Sequence, residues 1–209
     1  HGKTSTTSML SSIMLSAELS PAIHIGGVFP RIGSNVLASN GDYFVTEACE
    51  YHANFLNLHP FGEIILNIEA EHLDYYRDLN HIMDCFSEFA TYCPSEGFIV
   101  VCFDDENALK AIQSAKTNII TYSVKDISAT FCATNIVQCG TNSSYTLCYK
   151  GNPLTEINLN VPGIHNISNS VAAAAAAFQL GCSKESIKDG LEAFTGTGRR
   201  FEKKGEYNG

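Results

Sequence analysis

The chain has 209 residues, 44% hydrophobic and only 17% charged, with a formal net charge of -9. That length and apolar content support one α/β-sized domain with a buried core, and the acidic balance lacks the positive footprint of a nucleic-acid binder. The longest uniformly apolar run, from Val171 to Phe178, is far too short to span a bilayer and no signal peptide is visible, so no membrane partner is expected.

In chain order, Met9, Ile13 and Ala17, with Leu10 and Met14, follow helical spacing over residues 3–18. The Gly-, Pro- and Ser-rich stretch 20–40 reads as a loop. Short β-prone runs follow at 43–45 and 63–68. An amphipathic helix is predicted over 79–92, a buried strand over 98–103, a helix over 107–115 and a strand over 119–122. This alternation is the pattern of a doubly wound, mostly parallel α/β sheet. Between about 129 and 161 the pattern changes to three β-prone stretches (130–138, 144–149, 157–161) separated by Gly, Asn and Pro turns, which predicts a small antiparallel β meander attached to the main sheet. Helices over 164–180 and 184–194 complete the chain, and Gly181 fits a helix stop.

The 8 cysteines, Cys49, Cys85, Cys93, Cys102, Cys132, Cys139, Cys148 and Cys182, never form a Cys-x-x-Cys pair. Most lie in apolar runs such as 99–103, where cysteine acts as a small hydrophobe. Buried, reduced thiols and a cytoplasmic setting are the expectation. The sequence opens on His1-Gly-Lys-Thr-Ser5 without a preceding strand and stops in the polar turn Gly205-Glu-Tyr-Asn-Gly209. Both ends read as cuts inside a longer protein.

Gly2-Lys3-Thr4 at the head of an amphipathic helix matches the last three positions of a phosphate-binding loop. There, backbone N–H groups cradle phosphates, the lysine offsets their charge and the hydroxyl ligates Mg²⁺. Three residues alone are a weak signal, and without further support a plain helix start with an exposed lysine is the favoured reading. Support comes from Glu47, just past the strand 43–45, and His72, four residues past the strand 63–68. In open parallel sheets, ligands bind beyond the carboxyl ends of the strands. Thr4, Glu47 and His72 are therefore candidate metal ligands, expected to meet around a magnesium–triphosphate at one rim. A surface carboxylate and a strand-end cap are the alternatives for Glu47 and His72.

Three blocks resemble the Mur ligases in order and spacing: His1-Gly-Lys-Thr-Ser-Thr-Thr-Ser8, Asn67-Ile-Glu-Ala-Glu-His-Leu-Asp74 and Pro162-Gly-Ile-His-Asn-Ile-Ser-Asn169, followed by an alanine-rich helix. A fourth, Gly198-Arg-Arg-Phe-Glu202, closes the run. Glu47-Ala-Cys-Glu-Tyr51 with Asn54-Phe-Leu56 looks most like the alanine-adding branch. The resemblance implies the ATP-binding central domain of a ligase that joins a UDP-sugar carboxylate to L-alanine, through an acyl phosphate, in peptidoglycan precursor synthesis.

It further implies that Gly2, Lys3, Thr4 and Ser5 hold the ATP phosphates and that Thr4, Glu47 and His72 hold Mg²⁺, with Lys3, Glu47 and His72 serving catalysis. Asn166 and Asn169 would contact the nucleotide, most naturally at the adenine, although Asn166 could instead cap its helix. Arg200 would reach the phosphates, Arg199 is a surface charge on the alternative reading, and His165 is as well explained by a structural role. Gly26 and Gly27 would face the UDP-sugar. Two positions depart from the family pattern: Glu71 stands where Asp usually precedes the histidine, and Leu66 where Thr usually precedes Asn67. No lysine lies between His72 and Cys102, so the carbamylated lysine of several family members has no counterpart, in keeping with the alanine-adding branch. The rival readings are a glutamate- or tripeptide-adding ligase, a nucleotide-binding module without catalysis, and an unrelated phosphate-loop NTPase, which would need neither His72 nor the asparagine pair.

Overall fold

A computed structural model describes residues 1–198. Helix α1 (Lys3–Ser16) is followed by strands β1 (Ala22–Phe29), β2 (Ser34–Leu37) and β3 (Phe44–Thr46). A short 3-10 segment, Tyr51–Asn57, leads to β4 (Gly62–Ile65), α2 (Leu79–Ala90), β5 (Phe98–Cys102), α3 (Glu106–Ala111) and β6 (Asn118–Ser123). Strands β7 (Phe131–Cys139), β8 (Asn142–Tyr149) and β9 (Asn152–Leu159) precede helices α4 (Ile164–Gln179) and α5 (Lys184–Glu192).

The stretch expected to be a loop carries β1 and β2 instead. Its glycines and prolines masked a strand alternation, in which Ile23, Ile25 and Phe29 are buried while His24 is exposed. That burial outweighs the strand-weakening effect of Gly26 and Gly27.

The strands form two sheets, ordered β2-β1-β3 and β4-β5-β6-β7-β8-β9. In the larger sheet β4 to β7 pair in parallel, and β7, β8 and β9 pair antiparallel, so the meander extends the main sheet rather than standing apart. Strands 43–45 and 63–68, read as members of one open sheet, end up as β3 and β4 at the edges of different sheets. Both edges line a cavity of about 510 Å³, and among the described residues no strand lies between them.

Every residue of β5 is buried. Its alternate side chains enter opposite cores: Phe98, Val100 and Cys102 join the one under α1, α4 and α5, whereas Ile99 and Val101 join the one under α2 and α3. Helices on both faces of a parallel sheet explain why this strand reads as a continuous apolar run rather than an alternation. The fully buried side chains of Ile99, Val100 and Val101 each contribute roughly 1.5–3 kcal/mol. Six of the eight cysteines are buried, while Cys49 and Cys139 are exposed. No helix among the described residues is long and apolar enough to cross a membrane.

Helix α4 is buried nearly all round because its alanines, from Ala172 to Ala177, let the sheet and α1 approach closely. Helix α5 approaches α1 just as closely at Gly190, where a Cβ would sit 2.4 Å from the Cα of Ile13. Gly190→Ala is therefore expected to push the two helices apart at a cost of roughly 1–3 kcal/mol, read as a melting temperature lower by several degrees. An unchanged melt would show that this contact does not hold α5 in place.

Candidate functional site

The site lies where the N-terminus of α1 meets the chain leaving β3 and the loop after β4. Gly2 opens α1 in the left-handed region, φ 86°. A Cβ there would fall 2.6 Å from the Oδ1 of Asn169, so both the conformation and the close approach require glycine. No side chain caps α1 and its first turn holds no acidic residue, which leaves the orphan N–H groups of the helix start to an outside anion.

Thr4 is buried, and its hydroxyl donates to the Oε2 of Glu47 at 3.2 Å. The other oxygen of Glu47 accepts the Gly26 N–H at 2.7 Å. Ser5 is half-buried on the same first turn. Thr4 and Glu47 therefore converge, as their positions after the loop and strand suggested.

His72 pairs elsewhere. Its Nε2 lies 3.4 Å from the Oε1 of Glu50, and the Nζ of Lys3 sits 2.7 Å from the other oxygen of the same carboxylate. Glu50, Glu71 and His72 each present a ligand atom, all within 4.8 Å of one another. Sequence reading expected Thr4, Glu47 and His72 at one rim; in the fold Glu47 lies against Thr4 and Gly26, and the carboxylate paired with His72 is that of Glu50. The signal was present, since Glu50 belongs to the Glu47-Ala-Cys-Glu50 block. Which of two carboxylates three residues apart turns toward a distant histidine depends on the backbone after β3, and that is not a local property.

Burial pushes the Glu50 carboxyl up, but the hydrogen bond and charge of Lys3, its own backbone N–H and His72 together hold it below its ordinary value. Glu50 is thus an anion under ordinary conditions. Two carboxylates and an imidazole suit a divalent cation, and the carboxylate oxygens are the donors Mg²⁺ prefers. The residues present fit such a metal, and the uncapped α1 start beside Lys3 fits a phosphate.

Asn169 packs against Gly2 and is buried. Asn166 does not cap α4, whose N-cap is Gly163; its Nδ2 donates to the Pro162 carbonyl at 2.7 Å. His165 is exposed. Gly27 approaches the Thr4 methyl, at 3.5 Å from a Cβ built on it, which puts the end of β1 over the same rim. Arg199 and Arg200 lie outside the described residues.

Residues 1–177 match the family model described as the Mur ligase middle domain. The chain belongs to the Mur ligase family. It is 47% identical over 209 residues to the UDP-N-acetylmuramate–L-alanine ligase of Acetivibrio thermocellus, covering all of this chain and 45% of that protein. It is 44% identical over 210 residues to the enzyme of the same name from Clostridium tetani, with the same coverage. The chain thus spans less than half the length of these relatives.

Among solved Mur ligases, the UDP-N-acetylmuramate-alanine ligase of Thermotoga maritima superposes with a TM-score of 0.83 at 26% identity, over 95% of this chain and 44% of that one. The UDP-N-acetylmuramate:L-alanyl-gamma-D-glutamyl-meso-diaminopimelate ligase of Neisseria meningitides gives 0.85 at 25% identity, over 95% and 65%. The family's α/β fold is therefore shared across members whose names carry different amine substrates.

Proposed function

We propose that this chain is the nucleotide-binding middle domain of an ATP-dependent ligase that forms the amide bond between UDP-N-acetylmuramate and L-alanine, working in the cytoplasm. The observation that carries the reading is the convergence of Lys3, Glu50 and His72 beside the uncapped start of α1. The names of the relatives supply the substrates.

In this reading the sugar carboxylate would take the γ-phosphoryl group of ATP, with Mg²⁺ offsetting the charge and ADP leaving, and the amine of L-alanine would then attack the acyl carbonyl and release phosphate. The chain's own part is positioning and charge. Glu50 and His72, with Glu71 beside them, would hold one magnesium ion, and Thr4 with Glu47 would offer a second hydroxyl–carboxylate site. Lys3 now neutralises Glu50; with nucleotide in place it would offset phosphate charge, as preorganised cations do in phosphoryl transfer. Gly2 and Ser5 present backbone N–H groups to the phosphates. Asn169, held against Gly2, sets the loop, and Asn166 and Asn169 would contact the nucleotide.

The test is amine-dependent phosphate release by a ligase of the relatives' full length carrying this sequence. L-Alanine is expected to support release and D-glutamate or a tripeptide is not; the reverse selectivity would reassign the protein within the family. In the same assay Lys3→Ala is expected to lower turnover about 10²-fold or more, and near wild-type turnover would remove Lys3 from the site.

A further inference from the structure

We propose that Tyr76 is a positioning residue that sets the spacing between Glu50 and His72. The inference rests on the reading that these two side chains hold a divalent cation.

Glu50 and His72 come from separate loops, and neither loop keeps its shape by local preference. His52 and Ala53, just after Glu50, have φ of 54° and 53°, and His72 itself has φ 54°. Non-glycine residues in that region cost about 1–3 kcal/mol each and persist only where surrounding structure over-determines them. Tertiary packing must therefore fix them relative to each other.

Tyr76 touches both. Its backbone N–H donates to the His72 carbonyl at 2.9 Å, and its phenol donates to the Glu50 carbonyl. The ring is 1% exposed and packs in the core with Ile68, Ile82 and Phe89, so its rotamer is set by tertiary packing. A second tie is weaker: the exposed Tyr51 hydroxyl donates to Asp74 at 3.2 Å, and the Tyr51 ring lies 5.0 Å from that of His72. A buried residue anchored in the core, four residues after one ligand and bonded through its side chain to the loop that carries the other, is placed to orient both.

The experiment uses Mn²⁺ alone, titrated onto the 209-residue chain without nucleotide, with electron paramagnetic resonance reporting free ion and nitrogen modulation reporting the imidazole of His72. Tyr76→Phe keeps the ring and removes one hydroxyl, a loss too small to unfold the domain. It is expected to weaken Mn²⁺ binding about tenfold and to diminish the nitrogen modulation. Phe89→Leu disturbs the same core without touching the hydroxyl and should leave Mn²⁺ affinity within about twofold. Glu50→Gln should lose the ion. Tyr76→Phe binding like wild type while Glu50→Gln fails, or Phe89→Leu weakening binding as much as Tyr76→Phe, overturns the proposal alone. A wild-type chain that ignores Mn²⁺, or Glu50→Gln binding as wild type, overturns the metal reading and this proposal with it.

Discussion

Glu50→Gln is expected to lower the turnover of a full-length ligase carrying this sequence by about 10²- to 10³-fold, against a loss of only about tenfold for Glu47→Gln. The contrast follows from what each carboxylate touches. Glu47 accepts the Gly26 N–H on one oxygen and the Thr4 hydroxyl on the other; a glutamine keeps the first bond through its carbonyl oxygen, and its amide N–H can donate to the Thr4 oxygen in place of the second. Glu50 faces the ammonium of Lys3 and the imidazole of His72, where a neutral amide forfeits both the ion pair and an anionic metal ligand. Steady-state turnover measured across a Mg²⁺ series reads the difference, with Glu50→Gln also shifting the Mg²⁺ requirement upward. If Glu47→Gln proved the more damaging change, the Thr4–Glu47 pair rather than Glu50 and His72 would be the principal metal site.

The second large effect concerns stability. Glu63 on β4 is 4% exposed, and neither carboxylate oxygen has a hydrogen-bond partner. Burial pushes its pKa from 4.5 up to about 8. Between those two values the folded chain holds a proton that the unfolded chain has released, so stability falls as pH rises through that window. At about 1.36 kcal/mol per unit, the full loss above pH 8 is of order 4–5 kcal/mol, a large share of a domain's usual ~5–15 kcal/mol. Glu63→Leu removes the group. Its unfolding free energy is expected to match wild type within about 1 kcal/mol near pH 4.5 and to exceed it by several kcal/mol at pH 8.5. Urea unfolding of both chains at the two pH values settles the matter, because other titrating groups cancel in the difference. Parallel pH profiles would mean that Glu63 finds a partner or water in the folded state.

Much of the architecture was legible because it is local. The helix starts at Lys3 and Ile164, the apolar run of β5 and the turn-separated strands β7 to β9 were all visible as periodicity and punctuation. Strands β1 and β2 were not, since Gly26, Gly27, Pro30 and Gly33 read as loop chemistry. What makes β1 a strand is the burial of Ile23, Ile25 and Phe29 against α1 and the neighbouring core, a tertiary reward that propensity does not contain. The division into two sheets was equally hidden, because an apolar strand carries no mark of the neighbour it lacks.

Within the site the division falls between chemistry and geometry. The kinds of residue needed, a phosphate-loop lysine and hydroxyl, acidic groups after a strand and a histidine after the next, were set by the sequence alone, as were the blocks that resemble the family. Only the folded chain decided that Glu50 rather than Glu47 meets His72, that Asn169 lies against Gly2, and that Tyr76 joins the two loops. The reason is physical. Side-chain identity fixes which bonds a group can make, but the direction of a carboxylate four residues past a strand depends on backbone angles such as those of His52, Ala53 and His72, which packing imposes against their local preference.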